Sequence, residues 1–397
     1  MTETTTDMPD ATARVTPVGV AGAPSTGVVG EGVPVQSPGD GHEASEILAA
    51  ARVCVDPELH EVVDSLPEHL RRVARYHFGW EHADGTPAAG SSGKAIRPAL
   101  VLAAVQALGG APATAVRAAT AVELIHNFTL LHDDVMDRDA TRRHRPTAWS
   151  VFGVTDAILV GDALQALAQR LLAEDPHPAA PAAAARLARC VVELCAGQHA
   201  DCALEGRGPD EVTLDECLAM AEAKTGALLG CACALGALYA GGGPEEVDAL
   251  DGFGREAGLA FQLIDDVIGI WGDPGHTGKP AGADLTARKK SLPVVAALAS
   301  GTPAAAELAA MYGGAPGKGM PGKGSPGKGA GEGHERRDGE LERVARAVER
   351  AGGRDWAQAH AADRMSRAVG QLARAVPDPE AAGGLLALAE FVTRRTQ

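Results

Sequence analysis

Three carboxylates close a long apolar run. The run Ala121 to Leu131 leads into His132-Asp133-Asp134-Val135-Met136-Asp137. Asp133 and Asp137 are four apart and share one helical face, with Asp134 beside it. Carboxylates at the end of an apolar helix are costly unless a cation neutralises them. Hard oxygen ligands in this arrangement suit Mg²⁺, which commonly joins one or two protein carboxylates to substrate phosphates. One such triplet alone also fits a solvated helix end. A second acidic pair weakens that bland reading: Phe261-Gln262-Leu263-Ile264-Asp265-Asp266 again puts Asp-Asp late in an apolar helix. Two helices could aim carboxylates at one cluster of metal ions from opposite sides.

Cations accompany both acidic groups. Lys94 and Arg97 stand three apart in Gly93-Lys94-Ala95-Ile96-Arg97-Pro98, and Arg142-Arg143 follows the triplet. Lys224-Thr225 opens an uncharged stretch, and Lys279, Lys289 and Lys290 follow the second pair. Each basic group taken singly reads as solvated surface charge. Together with the acids they are what two diphosphates and their metal ions would need in one pocket.

The elements that must position these residues are helices. Ala99–Leu108, Ala115–Met136, Thr155–Leu172, Ala182–Ala203, Thr213–Tyr239 and Glu246–Ile270 all carry helical spacing and abundant Ala and Leu. Gly/Pro clusters such as Gly109-Gly110-Ala111-Pro112 and Gly241-Gly242-Gly243-Pro244 separate them. No run of alternating β-branched residues stands out. The fold class expected is all-α, a single domain of antiparallel helices with short loops. Residues 1–45, rich in Thr, Pro, Gly and Ser, read as a disordered tail. The domain would occupy 46–397, interrupted at 313–339 by a flexible insertion carrying three Pro-Gly-Lys-Gly repeats.

Composition removes several classes. Lys plus Arg total 36 and Asp plus Glu 52, a net charge of −16, so phosphate-rich nucleic acid would be repelled. Seven cysteines without a CxxC pair fit a reducing compartment rather than a disulfide scaffold. Cys195, His199 and Cys202 could share a helical face, but core or surface packing is the simpler reading. No basic-then-apolar leader opens the chain, and a cytoplasmic location is expected. Thr225–Pro244 lacks charge and is about long enough to span a bilayer. Its Gly and Ala content favours a buried core helix, so no transmembrane segment is expected. Gly322 to Lys328 mimics a phosphate loop, yet Gly329 replaces the required Ser or Thr and no strand precedes it.

The order of these motifs resembles the trans-isoprenyl diphosphate synthases, the polyprenyl synthetase family. The resemblance runs through Lys94-x-x-Arg97-Pro98, Glu123-x-x-His126, Asp133-Asp134-x-x-Asp137, Arg142-Arg143, Gly161-Asp162, Gly197-Gln198-x-x-Asp201, Lys224-Thr225, Gln262-x-x-Asp265-Asp266, Gly278-Lys279, Asp284-Leu285 and Lys289-Lys290-Ser291-Leu292-Pro293. It implies a helical bundle of the isoprenoid synthase type with a central active-site cavity, acting as a homodimer. The implied reaction joins isopentenyl diphosphate head-to-tail to an allylic diphosphate, with about three Mg²⁺ ions. Asp133, Asp134, Asp137, Asp265 and Asp266 would serve the metals. Arg142, Lys224 and Lys289 would contact the allylic diphosphate, with Lys279 close to the metals. Lys94, Arg97, His126 and Arg143 would bind the diphosphate of isopentenyl diphosphate. Thr225 and Gln262 would line the path of the developing carbocation.

Two positions qualify the resemblance. Gly269 stands where the family usually carries a third Asp of the second motif. That change keeps two other readings open: the same scaffold cyclising a prenyl diphosphate or prenylating another acceptor, or a non-catalytic subunit modulating an active synthase. Intact Lys94, Arg97, His126 and Arg143 speak against the first, and the intact first triplet against the second. Phe128 and Thr129 lie about one turn deeper than Asp133, where the growing chain would extend. In the family, a ring at the deeper site with a small neighbour suits a C20 product, so Phe128 with Thr129 leans toward geranylgeranyl diphosphate.

Overall fold

Helices make up nearly all of the computed structural model, which describes residues 40–88, 93–272, 282–313 and 332–394. The first three are α1 (Asp40–Asp64), α2 (Glu68–Phe78) and α3 (Ile96–Ala107). Next come α4 (Val116–Met136), α5 (Ala148–Phe152), α6 (Val154–Ala173) and α7 (Ala180–Glu205). Then follow α8 (Leu214–Ala221), α9 (Ala227–Tyr239) and α10 (Pro244–Trp271). The chain finishes with α11 (Ala283–Thr286), α12 (Leu292–Ala299), α13 (Pro303–Gly313), α14 (Glu332–Arg350), α15 (Gly353–Ala375) and α16 (Pro379–Thr393).

The core follows from composition. With aromatics at only 3%, Ala, Leu and Val fill it. Small side chains let helices approach closely, and each fully buried Leu or Val contributes about 1.5–3 kcal/mol. α3, α4 and α9 are buried over most of their length, and α9 is enclosed by α3, α7 and α10. Leu214–Tyr239 is long and apolar enough to cross a membrane, yet here most of it is core. Helix starts obey local chemistry. Thr213 caps α8, accepting from the Glu216 backbone N–H, while Glu216 reaches back to the Thr213 N–H. Pro244 opens α10 at a position where its missing N–H costs nothing.

The structure departs from the sequence expectation at four places. α1 begins at Asp40, inside the stretch read as tail, and continues through Pro57. α14 begins at Glu332, so the last part of the presumed insertion is helical, while the Pro-Gly-Lys-Gly repeats lie outside the described residues. A small hairpin occurs in place of uninterrupted loop: β1 (Thr141–Arg142) pairs antiparallel with β2 (Arg145–Pro146). Its turn places Arg143 and His144 at φ 50° and 61°. That left-handed pair is the backbone a two-residue hairpin needs, but it lacks the Asn-Gly signature that would announce it. Finally, Thr213–Tyr239 is not one regular helix. A π-helical turn over Glu222–Gly226 separates α8 from α9.

Candidate active site

The first acidic triplet divides its labour. Asp134 is 2% exposed, and its Oδ1 accepts from both Nε and an Nη of Arg142 at 2.8 Å. The pair locks β1 to the end of α4. Asp134 and Arg142, read from the sequence as metal and diphosphate groups, are therefore turned toward one another. Asp133 and Asp137 fall on the remaining face of the last turn. Burial pushes the Asp133 carboxyl up to about 6; Lys224 works against that shift and Asp137 adds to it. A carboxylate so placed gains from any cation that arrives.

Lys224 reaches this triplet because of the π turn. The extra residue in the turn redirects the side chains of Lys224 and Thr225 toward the cavity, as such bulges often do at functional sites. The Lys224 ammonium lies 2.6 Å from Asp201 Oδ2 and 3.9 Å from Asp133 Oδ2. Asp201 carries a role that the sequence reading quoted in a motif but did not assign. Gly197, one turn before it on α7, explains that motif. A Cβ at Gly197 would lie 2.7 Å from the Lys224 backbone nitrogen, so only glycine lets α7 pack against the π turn.

The opposite wall is α10. Thr225 Oγ1 donates to Gln262 Oε1 at 2.9 Å, and Gln262 Nε2 donates to Asp266 Oδ1 at 2.8 Å. Asp266 Oδ2 accepts the Leu292 backbone N–H at 2.9 Å. Asp266 is 4% exposed and anchors α10 to the start of α12, leaving Asp265 as the more exposed acid of the pair. Burial raises the Asp266 carboxyl to about 6, against Lys289. The Lys289 ammonium is raised in turn, by Asp266 first and then by Asp284, Asp201 and Asp265. One cavity is lined by Asp201, Lys224, Thr225, Gln262, Asp266 and Lys289. Asp201 thus holds Lys224 beside Asp133, and its charge also acts on Lys289.

A second polar cluster lies at the α3 end. Arg97 Nη1 stands 3.2 Å from His126 Nε2. Burial, then Arg97 and Arg143, hold the His126 imidazole neutral and well below its usual range. Buried Glu123 is raised by burial and opposed by Arg97, and its carboxylate accepts from Asn127 Nδ2 at 3.1 Å. Arg143 packs on Gly93, whose φ of +111° and missing side chain leave room for the guanidinium. The Lys94 ammonium lies 5.3 Å from the Phe391 ring of α16. Arg97, His126 and Arg143 are therefore gathered by α3, α4 and the hairpin, while Lys94 in the loop before α3 meets the Phe391 ring. Lys279 lies outside the described residues.

Phe128 is 6% exposed and meets His132 edge to face, with ring centroids 4.8 Å apart. Thr129 turns its hydroxyl back to the His126 carbonyl at 2.7 Å. Among the described residues no three His, Cys, Asp or Glu side chains converge into a ready-made metal cage, and Cys195, His199 and Cys202 form none. Lysines occupy the space between the acids instead. That arrangement fits ions brought in with phosphate groups, because Mg²⁺ is usually held by few carboxylates plus substrate oxygens.

The polyprenyl synthetase family model matches residues 86–319. The chain belongs to the polyprenyl synthetase family. A geranylgeranyl diphosphate synthase of Mycobacterium tuberculosis is 49% identical over 350 residues, 88% of this chain and 93% of that one. A (2E,6E)-farnesyl diphosphate synthase of the same species is 43% identical over 350 residues, 88% of this chain and 92% of that one. Among solved structures, a polyprenyl synthetase from Streptomyces coelicolor A3(2) is 42% identical with a TM-score of 0.81, covering 88% of this chain and 99% of its own. A geranylgeranyl pyrophosphate synthase from Corynebacterium glutamicum, complexed with calcium and isoprenyl diphosphate, is 29% identical with a TM-score of 0.68, covering 92% and 99%. The relatives are prenyl diphosphate synthases, and the chain is accordingly a prenyl-chain-elongating transferase.

Proposed function

We propose that this chain condenses isopentenyl diphosphate with an allylic diphosphate, head to tail, to make geranylgeranyl diphosphate with Mg²⁺. The observation that carries the reading is the single cavity lined by Asp201, Lys224, Asp266 and Lys289, with Asp133 3.9 Å from the Lys224 ammonium and Asp265 close enough to act on Lys289. The residues suit this job. Bound Mg²⁺, about three ions, would neutralise the diphosphate as its charge develops. Asp133, Asp137 and Asp265 would hold those ions. Lys224 and Lys289 would meet the same diphosphate oxygens. Arg97 and Arg143 would take the second diphosphate, with His126 accepting from Arg97 and orienting it. The Thr225–Gln262 pair would present a polar edge to the reacting carbons without a charge that could quench the cation.

Two observations favour C20 over C15. The buried Phe128 ring is followed in the chain by the small Thr129, and the geranylgeranyl synthase relative exceeds the farnesyl one in identity, 49% against 43%. The apolar side chains Val151, Val154, Ile158 and Leu159 are 37–49% exposed along α5 and α6. A surface of that kind supports a homodimer. The test incubates purified protein and Mg²⁺ with labelled isopentenyl diphosphate and each of the C5, C10 and C15 allylic diphosphates. The dephosphorylated alcohols are then sized by chromatography. A C20 alcohol is expected. A C15 alcohol as the end product would overturn the length assignment, and hydrocarbon formed from allylic diphosphate alone would replace elongation by cyclisation.

A further inference from the structure

The π turn that carries Lys224 and Thr225 is held from its far side by one arginine. Arg255 stands on α10 and closes a bidentate pair with Glu193 of α7, Nη1 to Oε1 at 2.6 Å and Nη2 to Oε2 at 2.8 Å. Its Nε donates to Asp251 Oδ2 at 2.7 Å, one turn back on the same helix. The same guanidinium lies 3.7 Å from Oε1 of Glu222, the first residue of the π turn. The Glu222 carbonyl accepts the Ala227 N–H, which is the i→i+5 bond that widens the turn. The backbones are close as well. A Cβ at Gly226 would stand 3.2 Å from the Arg255 carbonyl oxygen, and one at Gly258 would stand 2.9 Å from Gly226 Cα. α10 therefore lies directly against the turn.

Glu222 and Lys224 are two apart and do not share a helical face. Glu222 meets Arg255 on one side, while Lys224 meets Asp201 and Asp133 on the other. Arg255 itself does not line the cavity. An exposed ion pair alone is worth little, but bidentate geometry and a network hold Arg255 in place before it meets Glu222. Were the turn to relax by one residue into α-helix, the side chains before it would rotate by about 100° relative to α9. We propose that Arg255 is a positioning residue for the diphosphate side of the cavity: anchored by Glu193 and Asp251, it holds Glu222 and so keeps the π turn in the register that puts Lys224 beside Asp133 and Thr225 beside Gln262.

The proposal rests on the metal–diphosphate reading of the cavity, so the experiment separates the two. Mg²⁺-dependent binding of inorganic diphosphate to the full chain is measured calorimetrically, alongside metal-free binding of isopentenyl diphosphate. Arg255→Met should weaken the first by roughly tenfold, the scale of a partner that orients an active-site group, and leave the second unchanged. Glu222→Gln, which keeps the Arg255–Glu193 pair, should weaken it in the same direction by a smaller factor. Arg255→Lys should retain most of the affinity. In a Lys224→Ala background, Arg255→Met should weaken binding by less than about threefold, because the group it positions is gone. Full additivity of Arg255→Met with Lys224→Ala, or an equal loss of isopentenyl diphosphate binding, would overturn the proposal and leave the proposed function standing. Failure of the unaltered protein to bind Mg²⁺–diphosphate at all would overturn both. Melting temperatures on the same samples identify a misfolded variant. If Arg255→Met does not fold, Glu222→Gln with and without Lys224→Ala gives the same decision.

Discussion

The Lys224 ammonium sits 2.6 Å from an Asp201 carboxylate oxygen and 3.9 Å from one of Asp133. The π turn brings the lysine to the cavity, and Asp201 fixes where its charge points. Asp201→Asn keeps the shape and removes that hold. Turnover should fall about 10–100-fold, the usual scale for a partner that orients an active-site group. The fold should persist, because Asp201 is not part of the buried core. Steady-state kinetics with a melting curve on the same sample check this, and turnover within a factor of two would show that Lys224 needs no tether.

Asp133 and Asp134 are neighbours with opposite tasks. Burial has raised Asp133 to about 6, so its ionised form is held at a cost in the metal-free protein. Asp133→Asn should cut turnover by orders of magnitude and abolish Mg²⁺-dependent diphosphate binding. It should also stabilise the metal-free fold by about 1–3 kcal/mol at pH 7.5. Asp134→Asn breaks the buried contact with Arg142 and should lower the melting temperature instead. Denaturant melts of the two variants in EDTA decide it. The same direction of change in both would mean that the two carboxylates are not divided in this way.

The contrast between these neighbours shows what the sequence can carry. Acid spacing, the cations that follow and helical periodicity were enough to expect an all-α bundle and to bring the acids of α4 and α10 and Lys224 forward as candidates. They could not tell that Asp134 is tied to Arg142 or that Asp266 is tied to the Leu292 N–H, because each contact joins two separate elements. The π turn was hidden for a different reason. Its residues keep good helical propensity, and one extra residue in a turn leaves no mark in composition. The Arg143-His144 turn was missed because left-handed backbone was adopted by residues that rarely take it.

His77 sets part of the acid limit. Burial, followed by Arg142 and Arg143, lowers its imidazole to about 3, and its Nε2 has no hydrogen-bond partner among the described residues. The unfolded chain binds a proton near pH 6.5 while the folded chain refuses it until about 3. Stability from this group is therefore full above 6.5 and is lost as pH falls through the window between. His77→Gln should flatten the acid side by about 1.4 kcal/mol per pH unit between pH 6 and 4. Asp133 and Asp266 contribute with the opposite sign, gaining stability as pH falls from 6 to 4, so the comparison is made against the unaltered protein at each pH. An unchanged slope would place the acid limit elsewhere.

The apolar face of α5 and α6 predicts an assembly. Val154 and Ile158 stand four apart on α6, Leu159 adjoins them at 49% exposure, and Val151 lies near the end of α5. Leu159→Asp with Ile158→Asp should convert a dimer to a monomer in size-exclusion chromatography with light scattering, at micromolar concentration. The monomer should keep its helical signal, because neither side chain is core. A monomeric unaltered protein would leave this face without the partner proposed for it.

Phe128 tests the product length in both directions. Its ring is held by edge contact with His132, and that imidazole is pressed against α6 at Gly161, where a Cβ would lie 2.3 Å from His132 Nε2. The ring is thus fixed rather than free to swing away from a growing chain. Phe128→Ala opens the space one turn below Asp133 and should lengthen the product beyond C20. Removing a nearly buried ring costs roughly 3–5 kcal/mol, so the assay belongs well below the variant's melting temperature. Thr129→Phe should do the reverse and arrest the chain at C15. Chromatography of the released alcohols reads both. Opposite shifts would place the floor at this turn of α4. An unchanged product in both would move the floor to another helix, and the C20 assignment would then rest on resemblance alone.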